Sequence, residues 1–271
     1  RGDKNISLEK NGKIRIAILG DSMSFGHGIN NNSNIWPSKL EHYLNKYSEK
    51  NIEVINSAWP GTHTGTQTEI YKYLLRKYQP DIVIVGYFLN DARPNKAYED
   101  EIKYYDKFKS KNYLNGIYDV FFGKFLLENS YLYNFIVMQK DRFKQKNFHT
   151  SYIKTINSTY TNRSNLKYHT EELNQLFVEI REDQSTPLLV IIPYFYNFED
   201  YPFDSAHSYL RDIAEENNVD YIDLIETFKN KDTADYIIGK QDTHINEKGS
   251  DLIAREITKE LISKNIVKSI N

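Results

Sequence analysis

Five short apolar runs, most of them separated by a helix-length amphipathic stretch, constrain this chain more than any other feature. The first is Lys13-Ile14-Arg15-Ile16-Ala17-Ile18-Leu19, which stops at Gly20. A near-continuous apolar run of this length suits a strand buried on both faces, the situation of a parallel sheet covered by helices. Asn51–Asn56, Asp81–Tyr87, Leu188–Ile192 and Val219–Leu224 read the same way. Helices are expected over Ile35–Tyr47, with Pro37 in the first turn where its missing N–H costs nothing, and over Thr64–Tyr78, which Pro80 stops. Leu166–Gln184 places Leu173, Leu176, Phe177 and Ile180 at helical spacing. Ser205–Asn217 and a stretch from Glu247 to about Lys264 complete the set. Strands alternating with helices predict an α/β fold, a three-layer α/β/α sandwich whose parallel sheet is joined by right-handed crossovers.

The exception is 92–165, between the third strand and the helix before the fourth. Ten of the 22 tyrosines fall between Tyr98 and Tyr168, and Phe121, Phe122, Phe125, Leu126, Leu127 and Tyr131 cluster there. A structureless loop of that length is unusual in a compact domain. We expect a helical insertion packed over one end of the sheet, within a single domain spanning 1–271. No repeat or flexible Gly/Ser linker argues for a second one.

Bulk properties exclude several functions. A net charge of -2 argues against binding nucleic acid through bulk charge. No apolar run approaches the roughly eighteen residues that cross a bilayer. With Cys at 0, disulfides, thiol catalysis and cysteine-ligated metals are out. There is no His-x-x-x-His pair and no clustered acidic set, so neither metal nor cofactor is expected. The chain starts at Arg1, which suggests a trimmed piece of a longer one in which a membrane tether is possible.

Ligands of an open parallel sheet bind at the carboxyl ends of its strands. Four segments there carry polar or glycine residues: Gly20-Asp21-Ser22-Met23-Ser24, Asn56 to Gly61, Asn90-Asp91, and Asp242-Thr243-His244 ahead of the last helix. Each alone is weak. A Ser after Gly-Asp is more often a turn or cap residue, and Asn-Asp is usual turn chemistry. Gly26 and Gly28 could also cradle a phosphate, as in a flavin-binding loop, but that leaves Asn90 and His244 unexplained.

Together, in this order, the four segments resemble the SGNH (GDSL-type) hydrolases, named for a Ser, Gly, Asn and His set. The likeness runs from about Ile14 to Leu261, apart from the insertion. It departs at Phe88, where a Gly-x-Asn-Asp block would have glycine, and at the acid. A common Asp-x-x-His block would put the acid at Gln241, whereas here Asp242 is one residue closer, with Asp232 and Asp235 as fallbacks. The resemblance implies a flavodoxin-like SGNH hydrolase fold with a five-stranded parallel sheet. It also implies a Ser22, Asp242 and His244 triad, and an oxyanion hole from the backbone N–H groups of Ser22 and Gly61 and the amide of Asn90.

The chemistry is coherent. A serine hydroxyl needs a base to take its proton, and an imidazole, which titrates near neutrality, can take it and return it. A carboxylate fixes the tautomer and stabilises the imidazolium. Asp21 and Asn56 read as loop braces. Trp59, His63 and Asp91 are candidate substrate contacts, each with a local alternative: packing, a solvated loop position, and a brace. His27 has the same two readings as His63.

The expected function is a serine esterase that hydrolyses O-acyl esters, chiefly O-acetyl, on a carbohydrate or cell-envelope glycan. The alternatives are a glycan O-acetyltransferase with the same triad and a non-catalytic glycan-binding module of this fold. The expected partner is a small-molecule or glycan ester, no nucleic acid is expected, and the expected location leans extracytoplasmic.

Overall fold

The computed structural model of the protein describes residues 6–92, 152–239, 242–264 and 266–267. Five strands form its main sheet: β1 (Ile14–Gly20), β2 (Ile52–Asn56), β3 (Ile82–Phe88), β4 (Thr186–Ile192) and β5 (Asp220–Asp223). They lie in the order β2-β1-β3-β4-β5, and every pairing is parallel. All seven residues of β3 are buried, as a strand covered on both faces requires. Pro187 is tolerated inside β4 because it sits one residue before pairing with β5 begins at Leu188.

Among the described residues the labelled helices are, in chain order, α1 (Ser22–Phe25), α2 (Trp36–Tyr47), α3 (Thr64–Ile70), α4 (Arg163–Glu182), α5 (Asp204–Glu216), α6 (Ile225–Phe228) and α7 (Glu247–Ser263). Another helix covers 152–161. Successive residues of a strand point to opposite faces. A side chain at Gly86 would meet Trp36 of α2, whereas the next residue, Tyr87, bonds Tyr160 and His169. Helices therefore cover both faces. On the first, α2 packs against α7, with Asp251 accepting from Tyr43 (2.6 Å) and Lys39 (3.2 Å). On the second, α3 packs against α4, and Tyr209 of α5 bonds Thr170 at 2.7 Å.

At the amino end of β1, Arg15 is fully buried. Its Nε donates to Glu53 at 2.7 Å, and its two other nitrogens reach the carbonyls of Ser7, Leu8, Glu9 and Tyr78. A buried guanidinium is tolerable only with its donors satisfied like this.

Two elements differ from the sequence expectation. The helix expected to run unbroken to Tyr78 is α-helical only to Ile70, then takes a π turn over Tyr71–Leu75 and a 3-10 turn over Arg76–Tyr78. The wide turn buries Tyr71 and Leu75 and lets Tyr71 and Arg76 both reach Asp183, at 2.9 and 2.7 Å. The second is an antiparallel hairpin of β6 (Ile237–Gly239) and β7 (Asp242–Ile245). The expected insertion lies outside the described residues except for Ala92, the 152–161 helix and the start of α4; Phe121, Phe122, Phe125, Leu126, Leu127 and Tyr131 are all outside, as is Gln241. Among the described residues no helix is long and apolar enough to cross a membrane.

Candidate active site

The site lies where the strand order reverses, between β1 and β3, at their carboxyl ends. Gly20 and Gly86 are register partners there. A Cβ on either would come within 2.5 Å of Ser24 Oγ, so the pair of glycines lets α1 rest directly on the two strand ends. Asp21 caps α1, its Oδ1 accepting from the Met23 N–H at 2.9 Å. Gly26, at φ 78, ends the helix in the left-handed conformation that glycine adopts without strain. Ser22 is thus presented, half-buried, at the first position of a clamped turn.

The second loop is fastened to the end of β1. Asn56 donates to the Ser24 carbonyl (3.0 Å) and accepts from the Ala58 N–H (3.1 Å), the bracing expected of it. The Trp59 N–H and the Thr62 hydroxyl both donate to the Gly20 carbonyl at 3.0 Å. Between them Gly61 has φ 77, with nothing within 4 Å of where a Cβ would stand. Among the described residues, the backbone N–H groups of Ser22 and Gly61 meet no acceptor. Trp59 is 65% exposed, with its ring edge-on to Phe25.

The third loop is a 3-10 turn, Leu89–Asp91. Asp91 is fully buried, its Oδ2 accepting from the Phe88 N–H (3.2 Å) and Gln67 Nε2 (3.1 Å). Thr64 donates to the Asp91 carbonyl and Tyr160 to that of Leu89. Behind them His169 lies 3.2 Å from both Thr64 Oγ1 and Tyr87 Oη. Burial, with His63 nearby, lowers the His169 pKa to about 3, so the ring is neutral. The turn holds Asn90 with its Oδ1 buried and without a partner among the described residues. Burial raises the Asp21 pKa, only partly offset by the Met23 N–H, the facing His244, Asn90 and Ser22.

The fourth segment is β7. Residues two apart on a strand share a face, so Asp242 and His244 stand side by side. His244 Nδ1 is 2.5 Å from Asp242 Oδ1, which also accepts the His244 N–H at 3.0 Å. His244 Nε2 is 2.8 Å from Ser22 Oγ. Partial burial pushes the Asp242 pKa up, but the bonds from His244 and the proximity of His27 outweigh it, and the group stays below the usual carboxylate range. Asn246 secures the hairpin, capping α7 through the Lys248 and Gly249 N–H groups while donating to the Asp235 and Ile237 carbonyls.

The structure therefore brings Ser22, Asp242 and His244 into one hydrogen-bonded chain across more than two hundred residues, with Asn90 beside it. The fallback acids stand elsewhere: Asp232 caps a turn at Ala234, and Asp235 pairs with Lys248 at 2.6 Å. His63 is 2% exposed and bonds Thr66 at 3.1 Å, so like Asp91 it lies behind the cleft wall. Sequence reasoning missed the Tyr87–Tyr160–His169 network that supports the Asn90 turn. Its members are 73 and 82 residues apart and follow no motif.

Solved structures with the same architecture include a lipase/acylhydrolase from Enterococcus faecalis, at 14% identity, TM-score 0.56, and coverage of 95% of this chain and 99% of that one. A psychrotrophic esterase from Pseudoalteromonas sp. aligns at 16% identity and TM-score 0.53, covering 93% and 98%. An acetyl-xylooligosaccharide esterase from Geobacillus aligns at 15% identity and TM-score 0.56, covering 93% and 96%. At these identities they speak for the fold. No curated protein matches the chain significantly in sequence. The family model for the GDSL-like lipase/acylhydrolase family matches residues 18–252, a span that begins inside β1, ends inside α7 and takes in all four loops of the site. This chain belongs to that family and is a serine ester hydrolase.

Proposed function

We propose that the protein hydrolyses short O-acyl esters, chiefly O-acetyl, on a carbohydrate, through an acyl-enzyme on Ser22. The observation that carries this reading is the 2.8 Å contact of Ser22 Oγ with an imidazole whose other nitrogen is held at 2.5 Å by Asp242. With Nδ1–H donating to Asp242, Nε2 carries the lone pair and takes the Ser22 proton as the oxygen attacks the ester carbonyl. The carbonyl oxygen becomes an oxyanion that accepts from the Ser22 and Gly61 N–H groups and the Asn90 amide. His244 then gives its proton to the departing sugar hydroxyl. A water, deprotonated by the same nitrogen, attacks the acyl-enzyme, and collapse releases the acid and restores Ser22.

The carbohydrate part rests on Trp59. Its exposed ring, on the same loop as Gly61, offers a flat apolar face of the kind that stacks on a sugar. The acetyl-xylooligosaccharide esterase among the similar structures carries such a substrate in its name. His63 and Asp91 act from behind the wall, holding the α3 and Asn90 turns.

Turnover of p-nitrophenyl acetate by wild type and by Ser22→Ala tests the reading. The variant is expected to lose activity and to escape labelling by a fluorophosphonate; equal rates in both proteins would overturn it. Acetate release from acetylated xylan, against acetyl transfer to an added oligosaccharide, separates hydrolysis from transferase use of the same acyl-enzyme.

A further inference from the structure

One histidine beside the triad has no part in the mechanism above. His27 lies between Gly26 and Gly28, both at φ 78, and its N–H donates to the Ser22 carbonyl at 3.0 Å. Gly28 lies against the β6–β7 hairpin: a Cβ on it would stand 2.0 Å from Ile238 Cδ1, and its φ of 78 is one that L side chains rarely adopt. That hairpin also carries Asp242 and His244. The docking sets the exposed His27 ring against the His244 ring, with centroids 4.5 Å apart and planes tilted by 45°. His27, Asp242 and His244 each offer one ligand atom, and the three atoms lie within 4.8 Å of one another.

We infer that His27, Asp242 and His244 form a site for a divalent transition-metal cation of the zinc type, and that its occupation switches the esterase off. Two imidazole nitrogens and one carboxylate oxygen suit a borderline cation in tetrahedral coordination with water in the fourth position; one carboxylate is too little for calcium or magnesium, which want oxygen ligands. Metal–ligand bonds of about 2.0–2.2 Å put tetrahedral ligands roughly 3.4 Å apart. Ligand atoms within 4.8 Å of one another reach that spacing by side-chain rotation, the His244–Asp242 contact opening as His27 closes in.

The inhibition follows from the imidazole itself. A neutral ring has one nitrogen lone pair in its plane. Metal at Nε2 takes that lone pair directly. Metal at Nδ1 displaces the proton to Nε2, which then has nothing with which to accept the Ser22 proton. Either way the base is lost.

The inhibition half rests on the proposed esterase function, whereas the metal site does not. Two readouts on the full chain separate them. Zinc chloride is expected to inhibit p-nitrophenyl acetate hydrolysis, EDTA to reverse it, and magnesium chloride to do nothing. Cobalt(II) is expected to show the visible absorption of a tetrahedral site. In His27→Ala, and independently in His27→Asn, the cobalt spectrum is expected to be lost, and half-inhibition to need at least tenfold more zinc. Thermal melts of both variants check the fold. Equal zinc sensitivity in wild type and both variants, or no tetrahedral cobalt spectrum in wild type, would overturn the inference. A cobalt spectrum in a protein without esterase activity would support the site and overturn the functional reading; an active enzyme indifferent to zinc would do the reverse.

Discussion

An oxyanion donor has work to do only once the carbonyl oxygen carries charge, so its loss shows in turnover rather than in substrate binding. In the mechanism proposed above Asn90 has this role, its turn held by Asp91 and Tyr160. Asn90→Ala is expected to lower kcat by about two to three orders of magnitude, near 3 kcal/mol of transition-state stabilisation, with KM little changed. In the same proposed mechanism Asp242 works differently, through its contact with His244 Nδ1 fixing which nitrogen carries the proton. Asp242→Asn keeps the shape but offers an amide where a carboxylate stood, and favours the wrong tautomer. Steady-state kinetics should show kcat reduced on the order of 10³–10⁴-fold. A reduction below tenfold would place the acid elsewhere, although Asp232 and Asp235 are both turned to other partners.

At the scale of elements, the site depends on how closely α1 settles on β1 and β3. Gly86→Ala puts a methyl 2.4 Å from the buried Ser24 Oγ and 3.2 Å from the Leu19 carbonyl, so α1 must lift. Overpacking of this kind costs about 1–3 kcal/mol. For a chain of this size that lowers Tm by roughly 2–12 °C, and because α1 carries Ser22, kcat should fall with it. Gly239→Ala, where a Cβ meets nothing within 4 Å, is the matched control and should leave Tm and kcat near wild type. The same elements explain what could be read from sequence. The five strands of the main sheet were legible because β-rich apolar runs bounded by turn residues have few other uses, and the four loop segments because they follow one another in the family's chain order. The β6–β7 hairpin was not, because its strands are three and four residues long, only partly buried, and lack a sustained alternation. The Asp-x-His spacing gains its meaning from that hidden strand, since only in extended chain do residues two apart face the same way. The π turn at Tyr71 was equally hidden. It answers to Asp183, more than a hundred residues away, and local propensity carries no trace of that partner.

For the whole molecule, pH acts on stability through groups far from Ser22 as well as near it. His169 is buried neutral, its pKa lowered from an unfolded value of 6.5 to about 3. Between those values the unfolded chain binds the extra proton, so stability rises with pH up to 6.5. Asp251, lowered to about 2 by Tyr43, Arg255 and Lys39 despite partial burial, adds stability that is full above its unfolded value near 3.8 and lost toward pH 2. Glu172 of α4 opposes both. Burial raises its pKa from 4.5 to about 7, and its Oε2 has no partner among the described residues. Here the folded chain binds the extra proton, so stability is full below 4.5 and declines as pH rises through 7. The opposing slopes of His169 and Glu172 overlap between 4.5 and 6.5, where each largely masks the other. Glu172→Gln removes one of them, since an amide does not titrate. Urea unfolding of both proteins across pH 4 to 8 should give a stability difference that is constant near pH 4, grows in favour of the variant through pH 7, and levels off above it. Because Glu172 is only half-buried, solvent screening reduces the rise to on the order of 1–2 kcal/mol. A difference that stays the same at every pH would mean that the Glu172 carboxyl ionises in the folded chain as freely as in the unfolded one.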